Sequence, residues 1–283
     1  MVQSTRCATR RRQPARPATG SWRRYVALGD SMTEGLMDPT PAGPMRGWAD
    51  RLAQNLADSQ DIEIQYANLA VRGSVAGQVH DEQLPVALAL EPDLASVVAG
   101  VNDLLRPRFD LKETVWNVES AWAHLRAAGA TVLTFTFPDI TSTMVLPPHY
   151  AQRLAALNHA IRVTAGRHGV LVVDLAAEPA ALHPGFWAAD RLHANEIGHD
   201  RIAAAMAHRL GLPGADDSWS VPLPPFPAKG FVGRTRGHLA WAYGQVLPWM
   251  LRVAARGDFR ECRSAKHTDF VRISPVSASA FAA

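Results

Sequence analysis

The chain has 283 residues, 47% of them apolar and 19% charged, with a formal net charge of +3. This is a globular composition with enough length for a full core, and it excludes an intrinsically disordered chain. The charge is uneven: residues 1–24 carry seven arginines and no acid, and without them 22 basic residues face 26 acidic ones. The basic character therefore belongs to a tail and says little about the partners of the body.

That tail, residues 1–21, mixes Arg, Pro, Ser and Thr with almost nothing to bury and is expected to be disordered. It is read as an unstructured extension rather than an arm for nucleic acid or anionic lipid. It has no apolar h-region of a secretory signal, and no apolar run in the chain approaches the roughly 20 residues of a membrane span, so a cytoplasmic protein is the expectation. Cys7 and Cys262 lie at the two extremities and imply neither a disulfide framework nor a metal site.

Tyr25 to Leu28 is a short apolar run that predicts a buried strand, and Gly29-Asp30-Ser31 ends it abruptly. Ser31 stands where a strand passes into a turn and a helix start, the place where open α/β sheets bind ligands. Taken alone, the stretch reads as a helix cap. Apolar residues at Trp48, Ala49, Leu52, Ala53 and Leu56 then mark one face of a helix over 46–57. Residues 62–66 alternate as a half-buried strand that leads to Gly73, and a helix is predicted over 77–90 with Pro85 as an irregularity. Leu94 to Ala99 is a third strand, closed by Gly100-Val101-Asn102-Asp103. A helix over 111–128 stops at Gly129, and a β-branched and aromatic strand follows over 131–137. A helix over 150–168, a strand over 170–173, a loop and a last helix over 195–210 complete the alternation.

Strands this short and this apolar are buried on both faces, which implies a parallel sheet with helices on each side. Past Leu212 the pattern changes. Residues 221–227 form a proline-rich strap, and 238–253 an apolar stretch with Trp241, Trp249 and Met250 that is expected to fold as a helix against the body. A membrane-surface or partner contact is its minority reading. Residues 256–283 are expected to be flexible. The expected domains are thus 1–21, 22–212, 213–255 and 256–283.

A parallel sheet brings the ends of its strands to one edge, so Ser31, Gly73, Asn102, Asp190 and His193 are expected in one crevice. The residue types fit nucleophilic catalysis. A serine hydroxyl needs a base to take its proton as it attacks a carbonyl, and an imidazole, ordinarily titrating near 6.5, suits that task. Asp190, three residues before His193, can hold the other ring N–H and fix the tautomer. The backbone N–H groups of Ser31 and Gly73 and the side-chain amide of Asn102 can serve as donors to an oxyanion, each contributing about 3 kcal/mol. His199, His183, Asp174 and Asp103 are read as packing, surface or capping residues. No cofactor and no metal are expected.

The blocks Gly29-Asp30-Ser31-Met32, Gly73, Gly100-Val101-Asn102-Asp103 and Asp190-Arg191-Leu192-His193 resemble those of the SGNH, or GDSL, hydrolases. All occur in order over about residues 24–211. The resemblance implies a flavodoxin-like α/β/α sandwich with a five-stranded parallel sheet, and the proline strap and Trp-rich C-terminal segment look like those of bacterial members of the family. It also implies Ser31 as nucleophile, His193 as base, Asp190 as its partner, and Ser31, Gly73 and Asn102 as the oxyanion hole. Met32 stands where the family often has Leu, a volume-conserving exchange. The expected function is carboxylic ester hydrolysis through an acyl-serine, on a small-molecule, lipid or sugar ester; no nucleic-acid partner is expected. The alternative is a non-catalytic scaffold that uses the Trp-rich C-terminal segment.

Overall fold

Six strands pair into one sheet in the order β5-β4-β3-β1-β2-β6. In chain order they are β1 (Arg24–Gly29), β2 (Ile64–Asn68), β3 (Leu94–Val98), β4 (Thr131–Phe135), β5 (Leu171–Val173) and β6 (His267–Ile273). This computed structural model describes residues 21–41, 43, 45–139, 141, 147–225 and 264–276. β1 to β5 run parallel and β6 joins antiparallel to β2. The five parallel strands were expected; the sixth corrects that expectation. It also corrects the reading of 256–283 as flexible, because 267–273 is a strand whose backbone is fixed by pairing with β2. The arginine tail up to residue 20 and the Trp-rich stretch lie outside the described residues.

The central strands are buried on both faces because their side chains leave no polar face. In β1, Tyr25, Val26, Ala27 and Leu28 are all fully buried, as are Leu94, Ala95, Val97 and Val98 in β3. The one hydroxyl pair there satisfies itself: Tyr25 Oη and Ser96 Oγ lie 2.8 Å apart, and Tyr25 stacks on Tyr66.

Helices cover the two faces. α1 (Ser31–Glu34) is one turn; α2 (Gly47–Gln60) buries Trp48, Leu52 and Leu56. α3 begins at Ala76–Gln78, widens into a π turn over Val79–Gln83 and resumes over Leu84–Ala89. The π turn precedes Pro85, whose ring lacks an N–H and would crowd an α-helical carbonyl one turn back. The irregularity expected at Pro85 thus falls just before it. α4 (Val101–Leu104) is another single turn, followed by α5 (Leu111–Ala127), α6 (Pro148–His168) and α7 (Glu196–Leu210). α2 packs with α7, while α3 and α6 pack with α5. A short turn over Ser218–Ser220 lies on α7, where Trp219 Nε1 donates to His208 Nδ1 at 3.0 Å. Among the described residues no helix is long and apolar enough to cross a membrane.

Candidate active site

The end of β1 is built to present Ser31. Asp30 caps α1, accepting the Met32 N–H at 3.1 Å, so Ser31 becomes the first helical residue. Gly29 is required by close approach: a Cβ there would lie 2.5 Å from the Val98 carbonyl oxygen and from Thr33 Oγ1. The Gln83 side chain clasps the same residue, accepting the Gly29 N–H and donating to the Gly29 carbonyl, both at 2.9 Å. This clasp was not legible beforehand, because a glutamine in a helical stretch carries no sign of its distant backbone partner.

Ser31 Oγ lies 2.8 Å from His193 Nε2, and His193 Nδ1 lies 2.6 Å from Asp190 Oδ2. Asp190 Oδ1 accepts the Leu192 and His193 backbone N–H groups, each at 3.0 Å. Burial pushes the Asp190 carboxyl up, but the His193 ring and these N–H donors outweigh it and hold it below the usual carboxylate range. An ionised Asp190 fixes the proton on Nδ1 and turns the Nε2 lone pair toward the Ser31 hydroxyl. The expected serine, histidine and aspartate are therefore together, in the expected order of contact.

Gly73 sits in the turn after β2 with φ 80°, a conformation that disfavours a side chain. Its neighbour Arg72 is anchored: Glu34, at the end of α1, accepts the Arg72 N–H at 2.8 Å and pairs with its guanidinium. Lys266, just before β6, ties the end of α1 to the start of α2. Its ammonium donates to the Glu34 and Arg46 carbonyls at 3.2 and 2.8 Å and to Asp50 at 2.7 Å. Burial raises the Asp50 carboxyl to about 6 even with Lys266 beside it.

Asn102 lies in α4, after β3, and its Nδ2 donates to Asp30 Oδ2 at 3.1 Å and to the Ser74 carbonyl at 2.9 Å. It thus bridges the serine turn and the Gly73 loop. Asp30 is fully buried, and burial raises its carboxyl to about 7 against the pull of the Met32 N–H and His193. Asp103 accepts the Ala76 N–H at 2.9 Å and so ties the Asn102 loop to the start of α3.

The residues read as structural take such places. His199 is fully buried; its Nδ1 accepts the Trp48 N–H at 3.1 Å and its Nε2 donates to the Leu36 carbonyl at 2.9 Å. Burial lowers it to about 4, keeping it neutral. His183 Nδ1 accepts the Gly185 N–H. Asp174 pairs with Arg162 and accepts the Thr136 hydroxyl.

A cavity opens beside Ser31, Asn102 and His193 and runs inward between the ends of β4 and β5 and helices α6 and α7. Its walls are nearly all apolar.

The strand order makes the chain an α/β protein of flavodoxin-like architecture, with the candidate site at the carboxyl edge of its sheet. Residues 27–201 match the GDSL-like Lipase/Acylhydrolase family, and the chain belongs to it. No curated protein matches the chain. Among solved structures, it is similar to LAE5, an alpha/beta hydrolase enzyme from the metagenome of Lake Arreo, Spain, with 21% identity over 67% of this chain and 95% of that one, at a TM-score of 0.57. A catalytic mutant of Axe2, an acetylxylan esterase from Geobacillus stearothermophilus, is 18% identical over 70% of this chain and 99% of its own, at a TM-score of 0.59. The lipase/acylhydrolase from Enterococcus faecalis is 20% identical over 69% of this chain and 100% of its own, at 0.56. At these identities the likeness concerns the fold.

Proposed function

We propose that the chain is a serine esterase that cleaves carboxylic esters through an acyl-serine intermediate. The observation that carries this reading is the unbroken hydrogen-bonded run from Asp190 through His193 to Ser31 Oγ, at 2.6 and 2.8 Å, at the mouth of the one apolar cavity described above. Ser31 Oγ attacks the ester carbonyl carbon while His193 Nε2 takes its proton. Asp190 holds the imidazole by Nδ1 and stabilises the imidazolium that forms.

The carbonyl oxygen gains negative charge in this step and needs donors already in place. The Ser31 N–H, at the start of α1, is one, since the first turn of a helix leaves N–H groups without intrahelical partners. The Gly73 N–H is the second. Asn102 is the third, exchanging its bond to Asp30 for one to the oxyanion while Ser74 keeps hold of the same nitrogen. The intermediate collapses, His193 hands its proton to the departing alcohol oxygen, and a water activated by the same nitrogen then releases the acid.

The test is a fluorophosphonate probe with mass spectrometry beside hydrolysis of chromogenic esters. Labelling at Ser31, together with ester cleavage lost in Ser31→Ala, is the expected result. An unlabelled Ser31 in folded protein would overturn the mechanism and favour a binding role for the fold.

A further inference from the structure

The geometry points to an acyl slot in the cavity beside Ser31 that takes an unbranched apolar chain longer than acetyl and shorter than a long fatty chain; this rests on the esterase reading above. The inner walls are Phe135 and Phe137 from the end of β4, Leu154 from α6, Ile202 from α7, and Phe186 and Trp187 from the loop before His193. Phe135, Phe186 and Ile202 are 1 to 2% exposed, so the cavity ends blind against the core.

The polar atoms of these walls are turned elsewhere. Asn158 takes both backbone groups of Phe137, accepting its N–H at 2.8 Å and donating to its carbonyl at 2.7 Å. The Trp187 indole N–H donates to the Ala181 carbonyl at 2.9 Å. Among the described residues no Asp, Glu, Lys or Arg lines the cavity, and the polar ones that do are Ser31, Asn102, Thr141 and His193. A hydroxyl or charge carried inside would lose its water partners and gain none, whereas each methylene leaves water for apolar surface.

A blind slot suits the acyl part rather than the alcohol. The alcohol must depart before water enters, and from the bottom of the slot it would have to pass the acyl-serine. The acyl chain stays through both steps. Size bounds its length: the cavity volume is about 60 Å³, several times the roughly 10–15 Å³ that a single water needs. It has room for a chain longer than acetyl, and its closed end excludes one of palmitoyl length.

The experiment is a series of p-nitrophenyl esters from acetate to palmitate on the full chain. Each buried methylene is worth roughly fourfold in affinity, so kcat/KM should rise on the order of 100-fold from acetate to hexanoate and fall again by palmitate. Acetate esters of alcohols of rising length should show no such rise. Leu154→Trp, which fills the slot, should lower the hexanoate-to-acetate ratio by about tenfold or more, a ratio that does not depend on how much protein folds. Binding of methyl hexanoate and methyl acetate to Ser31→Ala by calorimetry separates the slot from the chemistry. Tighter binding of the hexanoate supports the slot even if the wild type cleaves no ester, a result that would sink only the esterase reading. Equal binding, an acetate optimum, or a length dependence confined to the alcohol overturns the slot while leaving a serine esterase intact.

Discussion

Along the carboxyl edge of the sheet, the rim over β1 and β3 and the slot beneath β4 and β5 are built on opposite terms. At the rim polar groups are paired across the chain: Gln83 with Gly29, Asn102 with Asp30 and Ser74, His193 with Ser31 and Asp190. In the slot the polar atoms face away and the surface is aromatic and aliphatic. The rim spends stability on geometry, since a fully buried Asp30 is an expensive group to ionise. The slot gains stability from the same burial that shapes it. On the proposed mechanism, chemistry is concentrated in residues that cost the fold and acyl specificity in residues that hold it.

That contrast can be broken most sharply at the rim. Ser31→Ala and His193→Ala should each lower ester hydrolysis by about 10⁴ to 10⁶-fold, with the melting temperature near that of the wild type and the double variant no worse than either single one. Near-normal turnover from either protein, measured by steady-state kinetics, would dissolve the distinction.

Asn102→Ala should lower kcat by about 10² to 10³-fold with a smaller change in KM, because its amide acts on charge that appears only in the transition state. A change confined to KM would instead place Asn102 with the slot.

The cost of Asp30 gives a pH-dependent prediction. Its carboxyl titrates near 7 in the folded chain, above its ordinary 3.8. Between those values the unfolded chain has released the proton and the folded chain still holds it. Asp30's contribution to stability is therefore full below about 4, is lost as pH rises and levels out above 7. Denaturant titrations of wild type and Asp30→Asn at pH 4 and pH 8 should differ by about 3 kcal/mol between the two pH values, with the variant relatively more stable at pH 8. A gap that does not move with pH would mean that Asp30 is ionised throughout.

Lys266→Ala separates the rim from the slot by a smaller margin. It leaves Asp50 without its cation and the Glu34 and Arg46 carbonyls without a donor, and should cost about 2 kcal/mol in denaturant melts. Turnover should fall modestly while the acyl-length preference stays as in the wild type. A changed length preference would show that β6 supports both regions.

Legibility in the sequence followed the same line. Ser31, Gly73 and Asn102 could be placed at one edge because each follows a short apolar strand, and Asp190 and His193 were reached through the motif blocks that resemble the family. Their support could not: Gln83 and Lys266 act on backbone groups many residues away, and nothing local marks a partner of that kind. The slot was hidden for another reason. Phe135, Leu154 and Ile202 lie on strand and helix faces that any core would use, so wall and core share one pattern. The five parallel strands were legible because burial on both faces leaves a continuous apolar run. β6 was not, because only Phe270, Val271 and Ile273 among its residues pack on the core and its place is set by backbone pairing.

The origin of that last strand has a consequence for how the protein is made. The parallel strands are complete once Val173 has been synthesised, yet the outer edge of β2 receives its partner only when His267–Ile273 follows. Once past His193, a growing chain carries the candidate site residues together with a row of backbone donors and acceptors on β2 that a neighbouring nascent chain can use equally well. That segment pairs with β2 and takes its place as the edge strand of the sheet. A message truncated just upstream of Lys266 would deliver Ser31, His193 and the cavity beside them with β2 as an open edge, prone to pair with copies of itself.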